Sequence, residues 1–285
     1  MREGERMIEF RCGHSDEWDF FAARWGPAIE ALTRAHQTCF DILRLPRPDG
    51  QEENVIYLLA EACLKEFEEI CLLAGNGYGS GATKLLRSFY ERAVTLSYLA
   101  LKPEKIQQFI DYSSIHWHKL LDEADRIHSP VNLTAEQRQK ITGDYESHKD
   151  HFMEYLCKPC NRRRPQMSWT KKPIPDQAAE VNPMLRALCF NAYLRPTFYL
   201  HTTFLGVAWQ AEKTEADELR LFGRAVERAS AQESLELAHI LLVHVVDVVN
   251  HFFKLGQDGR VNEIADEWKD SWEPVKNDAK SQTTD

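Results

Sequence analysis

Apolar residues recur at three- and four-residue intervals along most of this chain. Within residues 52–74, Val55, Leu58, Leu59, Ala62, Phe67, Ile70 and Leu73 mark one face of an amphipathic helix. The same period predicts helices over residues 17–45, with a break at Gly26-Pro27, and over 82–101. Further helices are predicted from Pro103 toward Ile127, from an N-cap at Thr134, and over 181–211 and 215–228. Residues 233–255 form the most apolar stretch and end at Gly256. The run Val243-His-Val-Val-Asp-Val-Val has strand-like composition. It sits in a long stretch without a breaker, however, and length decides for helix.

The punctuation between these segments is clear. Pro46-Arg-Pro-Asp-Gly50 ends the first helix and a glycine-rich run from Gly75 to Gly81 ends the second. Residues 158–176, with four prolines and little periodicity, read as a loop. No repeat of 20–50 residues is present. The pattern predicts an all-α fold, a single multi-helix bundle of about seven to nine helices over residues 1–275. Its core is expected at about residues 52–255, with a polar tail at 276–285.

Composition narrows the classes. With 285 residues, 43% hydrophobic and 28% charged, the chain has enough apolar material for a core and is not a disordered segment. The charged N-terminus has no secretory h-region, and no uninterrupted apolar run approaches the length of a membrane span. A soluble cytoplasmic protein with reduced thiols is therefore expected from its seven cysteines, with no membrane partner. The net charge of −9 argues against nonspecific nucleic-acid binding by the whole surface. The run from Lys158 to Lys172 stands apart: it carries Arg162, Arg163, Arg164, Lys171 and Lys172 without an acid, and Trp169 lies inside it. Such a run can hold RNA phosphates with Trp169 stacking on a base, or it can be a solvated loop with its tryptophan packed inward.

Several constellations could carry chemistry. The Gly75–Lys84 region lacks the spacing and preceding strand of a P-loop, and reads as a helix–helix connection using positive φ and close backbone approach. Arg87 and Glu91 stand at i, i+4, and their face continues into Val94, Tyr98 and Leu101. A pair on a protein-facing stripe is either a structural bridge or part of a site. His148-x2-His151-x5-Cys157-x2-Cys160 has the ligand types of a structural zinc site. His244, Asp247 and His251 fall within about 60° of one another on a helix, as a solvent edge, a cleft lining or the ligands of a metal-dependent hydrolase.

Arg195 and His201 follow Tyr193 with five residues between them. The spacing resembles the R-x(4–6)-H motif of the HEPN ribonucleases, although Pro196 stands where those enzymes usually carry a polar residue. That resemblance implies a metal-independent, dimeric endoribonuclease. In it His201 would move a proton at a ribose 2′-OH and Arg195 or Arg87 would stabilise phosphate charge. Arg87-Ser-x-x-Glu91, the Lys-Pro-Glu turn, Tyr112, Trp169, Tyr193 and His201, in that order, also resemble the bacterial family numbered 5677 among the domains of unknown function, over about residues 58–210. This second resemblance implies a helical fold in which Arg87, Glu91, Tyr193 and His201 lie together, and a context near anti-phage defence genes. The expected function is a HEPN-like endoribonuclease of defence or toxin type, acting on RNA as a homodimer or within a defence complex. The alternative is a non-catalytic scaffold or sensor subunit, with no cofactor beyond a structural zinc.

Overall fold

The computed structural model describes residues 13–14, 16–157, 159–201, 203–208, 211–213, 219–221 and 227–282. Three long helices make its centre: α2 (Gln51–Gly75), α3 (Gly79–Leu101) and α10 (Arg228–Phe253). Helices α1 (Glu17–Leu43) and α11 (Asp258–Gln282) pack on α10 and on each other. Between α3 and α10 the chain forms α4 (Ile106–Arg126), α5 (Ala135–His148), a hairpin of β1 (Met153–Cys157) and β2 (Arg162–Pro165), α6 (Ile174–Val181), α7 (Pro183–Cys189), α8 (Arg195–Leu200), α9 (Phe204–Ala208) and a second hairpin of β3 (Ala211–Lys213) and β4 (Leu219–Leu221). The fold is mostly helical, as the apolar period requires, with nine α-helices of seven or more residues among the described residues.

Local chemistry explains the boundaries. Pro27 lacks the N–H of a regular helical turn, and α1 bends beside it at Trp25 (φ −130°, ψ 36°). Thr134 and Gln137 form a reciprocal capping box at the start of α5. The α2–α3 connection is the expected glycine turn. Gly77 has φ +81°, and a Cβ on Gly79 would lie 2.3 Å from the Glu227 carbonyl oxygen. The Glu227 carboxylate accepts the Ser80 N–H, so a protein anion already occupies this helix start.

Three stretches depart from the pattern-based expectation. Residues 162–165 are a strand, not loop: Glu154 faces Arg164 and Tyr155 faces Arg163 across an antiparallel pair too short to show a period. Leu219-Arg-Leu221 pairs with Ala211–Lys213 where the pattern predicts a helix over 215–228; three residues are too few to show a period of two. The stretch expected as one helix over 181–211 is divided. Asn182 caps a new start at Pro183, and a π-helical turn (Phe190–Leu194) precedes Pro196, which cannot donate a helical hydrogen bond. In addition, α11 continues to Gln282, through much of the segment expected as a polar tail.

The apolar side chains form two clusters. The larger joins α1, α2, α3, α7, α10 and α11, with Trp272 fully buried and its indole N–H donated to His239 Nδ1 at 3.1 Å. The smaller contains Ile56, Tyr98, Leu99, Ile106, Tyr112, Ile115, Phe152 and Trp169. Helix α10 is long and apolar enough to cross a membrane by length and composition, but 72% of its most apolar window is buried among the other helices.

Candidate functional site

Where the two clusters meet, a cavity of about 870 Å3 opens between α3, α4, the segment after β2, α6 and the π-helical turn. Helix α3 contributes Arg87, Glu91 and Thr95; α4 contributes Phe109, Tyr112, Ser113 and His116; Met167, Ser168, Trp169 and Lys172 follow from the connection after β2. Gln177 and Tyr193 complete its polar lining. The volume lies within the roughly 300–1,000 Å3 typical of small-molecule sites. Met167 (82% exposed) and Glu91 (42%) mark its solvent side.

Arg87 is the best-held side chain in this wall. Its Nη1 lies 3.2 Å from Glu91 Oε2, the i, i+4 pair expected from sequence. Its Nε donates to Thr197 Oγ1 at 3.1 Å, its Nη2 lies 3.4 Å from the Tyr193 hydroxyl, and its guanidinium carbon sits 4.7 Å from the Tyr193 ring centroid. The Thr197 hydroxyl donates in turn to the Tyr193 carbonyl at 2.7 Å. The Tyr90 hydroxyl donates to the Leu185 carbonyl at 2.6 Å, fixing α7, which leads into the Tyr193 turn, against α3. Arg87 is thus held at all three of its nitrogens and is one-fifth exposed. Burial and the Glu91 charge push the Tyr193 phenol up, opposed by Arg87, and burial pushes the Tyr112 phenol up. Burial, with the Lys119 charge, holds His116 below the usual histidine range, so it is neutral near pH 7.

The structure brings Arg87, Glu91 and Tyr193 together, as the family resemblance implied. Thr197, which no sequence motif singled out, completes the set; its signal was the four-residue step from Tyr193 to Thr197 to His201. His201 ends this series at the exposed C-terminus of α8 and does not line the cavity. Arg195 turns to α10, where it pairs with Glu233.

The basic run is largely neutralised. Arg163 lies over the Tyr155 ring and 3.5 Å from Asp150; Arg164 pairs with Glu154 at 2.5 Å; Lys172 pairs with Glu180. Arg162 and Lys171 are exposed, and Lys158 lies outside the described residues. Trp169 is buried at 7% exposure, edge-on to Tyr98 and Phe109, with its backbone carbonyl accepting from Gln108. It presents no face to a stacking base, which corrects the RNA-stacking expectation. The apolar second cluster claims the ring.

The metal expectations are corrected too. His148, His151, Cys157 and Cys160 do not converge: His148 Nε2 turns 3.7 Å from Asp111 while the two thiols sit at the hairpin tip. Among the described residues no group of three or more His, Cys, Asp or Glu side chains is placed to hold a metal ion. That includes His244, Asp247 and His251, which border a separate groove of about 410 Å3. His244 is buried, 2.9 Å from Ser97 Oγ, whereas His251 points outward to Asp247 and Asp258. One helix face has been split between core and solvent.

A family model described as "Family of unknown function (DUF5677)" matches residues 53–209, more than half of the chain and every residue lining the cavity. No curated protein and no solved structure matches the chain.

Proposed function

The chain belongs to the DUF5677 family of unknown function, and from that premise we propose that it is a ligand-sensing helical protein whose Arg87 cavity takes up a small organic anion. The observation that carries this reading is the state of Arg87. It is a permanent cation held by Glu91, Thr197 and Tyr193 at the wall of a cavity of small-molecule size. Thr197, Glu91 and Tyr193 engage all three guanidinium nitrogens, so little rotamer freedom is left to lose, and the two N–H bonds not used in these contacts are preorganised for a carboxylate or phosphate. Lys172 lies in the same wall, but its ammonium is paired with Glu180 and adds little charge there. Burial of the mouth-side apolar surface between two hydrophobic clusters would then convert ligand occupancy into a change of rigidity, which is what a sensor needs.

Titration calorimetry with ribose 5-phosphate and inorganic phosphate tests the reading. Binding should be saturable, weaken with salt, and fall at least tenfold in Arg87→Gln with the helical circular dichroism unchanged. Equal binding by the variant and the parent chain would reject it.

A second reading, a metal-independent homodimeric ribonuclease, is favoured by one observation. His201 follows Tyr193 and Thr197 on the α8 series and is exposed beside Phe198 (39% exposed), Leu200 (48%) and Phe204 (86%), an apolar band able to receive a second copy. That reading expects RNA cleavage in EDTA and its abolition in a folded His201→Ala variant; cleavage retained by the variant would eliminate it.

A further inference from the structure

Resting on the Arg87 reading, we propose that the cavity's ligand is a nucleotide: an anion that also carries a planar ring with an N–H donor, read by Gln177. Gln177 is 1% exposed and lies in the cavity wall. Its Nε2 donates to the Lys172 carbonyl at 2.9 Å, which fixes the orientation of the amide, because the flipped amide would set two oxygens against each other. Its Oε1 is therefore turned away from Lys172, and this buried acceptor has no hydrogen-bond partner. Buried acceptors are nearly always satisfied, and one without a partner on a cavity-lining residue is where a ligand's donor would complete the set.

The cavity thus makes two different demands. Arg87 asks for an anion and Gln177 asks for an N–H or O–H. The wall also carries Phe109, Ile110 and Met167, which an anion alone, or a short hydroxylated chain, would leave facing water. A flat heterocycle bearing an N–H fills that apolar span and ends in the required donor. Phosphate, ribose and nucleobase together supply all three features within one molecule of a size the cavity admits.

The test compares ligands on the intact chain. The four nucleoside 5′-monophosphates and ribose 5-phosphate are titrated by calorimetry, followed by the form of the tightest base in which every base N–H is replaced by N-methyl, which keeps the ring and phosphate but has no N–H donor. At least one nucleotide should bind about tenfold tighter than ribose 5-phosphate, and N-methylation should remove most of that advantage. In Gln177→Met the nucleotide should fall to the affinity of ribose 5-phosphate, while ribose 5-phosphate itself is unchanged. If ribose 5-phosphate binds as tightly as every nucleotide, or N-methylation has no effect, Gln177 is merely hydrated and the inference is overturned while the anion site stands. If no anion binds at all, the Arg87 reading fails and this inference with it. The ligand comparison on the parent chain decides the matter even if Gln177→Met does not fold.

Discussion

His239 and His244 are polar residues on the most apolar helix of the chain, and burial holds them at about 3 and about 4 against an ordinary value near 6.5. Because the folded state keeps both neutral and the unfolded state protonates them, stability is fully present above about pH 6.5 and is lost as pH falls toward those folded values. Between pH 6.5 and 5 each costs about 2 kcal/mol, at 1.4 kcal/mol per pH unit. His251 is raised by the Asp247 carbonyl and carboxylate and works in the opposite sense, but at 66% side-chain exposure it offsets little. Urea unfolding followed from pH 7 to pH 5 should show this loss. In His244→Gln, which keeps a hydrogen-bonding group near Ser97, the loss over that interval should be roughly halved; an unchanged slope would assign the loss elsewhere. Such distinctions are only partly legible in sequence. The Arg87–Glu91 pair could be read from spacing, because both residues belong to one helix and local geometry decides their distance. The His244–Asp247–His251 seam could be seen as one face, but not divided, since what buries His244 is Ser97 of a helix 147 positions away. The choice between a stacking and an inward-packed Trp169 stayed open for a related reason: its basic sequence neighbours say nothing about the apolar residues of α4 that enclose it.

At the scale of the elements, glycine positions separate tight packing from mere flexibility. Gly143 lies inside α5, and nothing stands within 4 Å of the place a Cβ would take, so alanine there gains helix propensity and loses no contact. Gly143→Ala should stabilise by about 0.5–1 kcal/mol. Gly79, at the first turn of α3, has the Glu227 carbonyl oxygen 2.3 Å from the place of a Cβ, and a backbone atom cannot move aside as a side-chain end can. Gly79→Ala should cost about 1–3 kcal/mol by separating the α3 start from α10. Urea midpoints with unchanged slopes would measure both; a Gly79→Ala midpoint at or above that of the parent chain would show that α3 can shift without penalty. The long helices were readable because their period repeats over six or seven turns. The hairpins were not: a four-residue strand such as Arg162–Pro165 is held by partners across the pair, Glu154 and Tyr155, and no local propensity announces it. The same holds for the break before α8, where Pro196 was visible but the π-helical turn that accommodates it and places Tyr193 against Arg87 is a tertiary result.

For the molecule as a whole, the arrangement of the two clusters matters more than the net charge. The smaller cluster rests on Ile56, Tyr98 and Leu99 from the central helices, and is completed by α4, Phe152 and Trp169. Helix α4 packs chiefly on α5, whose own residues are all at least partly exposed. Little apolar surface therefore opposes a concerted opening of α4, α5 and the first hairpin, whereas opening α10 would expose the main core. Amide hydrogen exchange should accordingly be faster in α4 and α5 than in the middle of α10. The Arg87 cavity lies on this seam, with α3 on one side and Phe109, Tyr112 and His116 of α4 on the other. A ligand that touches both sides binds the closed unit and not the opened one, so at 100 times its Kd it raises the opening free energy by about 2.7 kcal/mol. Exchange in α4 should then slow by up to about a hundredfold. Amides of α10 that exchange only through global unfolding should slow by no more than the same factor, and those opening by local fluctuation should not change. Uniform exchange across α4 and α10 without ligand would show that the two clusters unfold as one unit and that the seam is no hinge. Selective slowing of α4 by the anion would make occupancy of the cavity a change in the cohesion of the whole fold, the physical form a sensor's signal would take here.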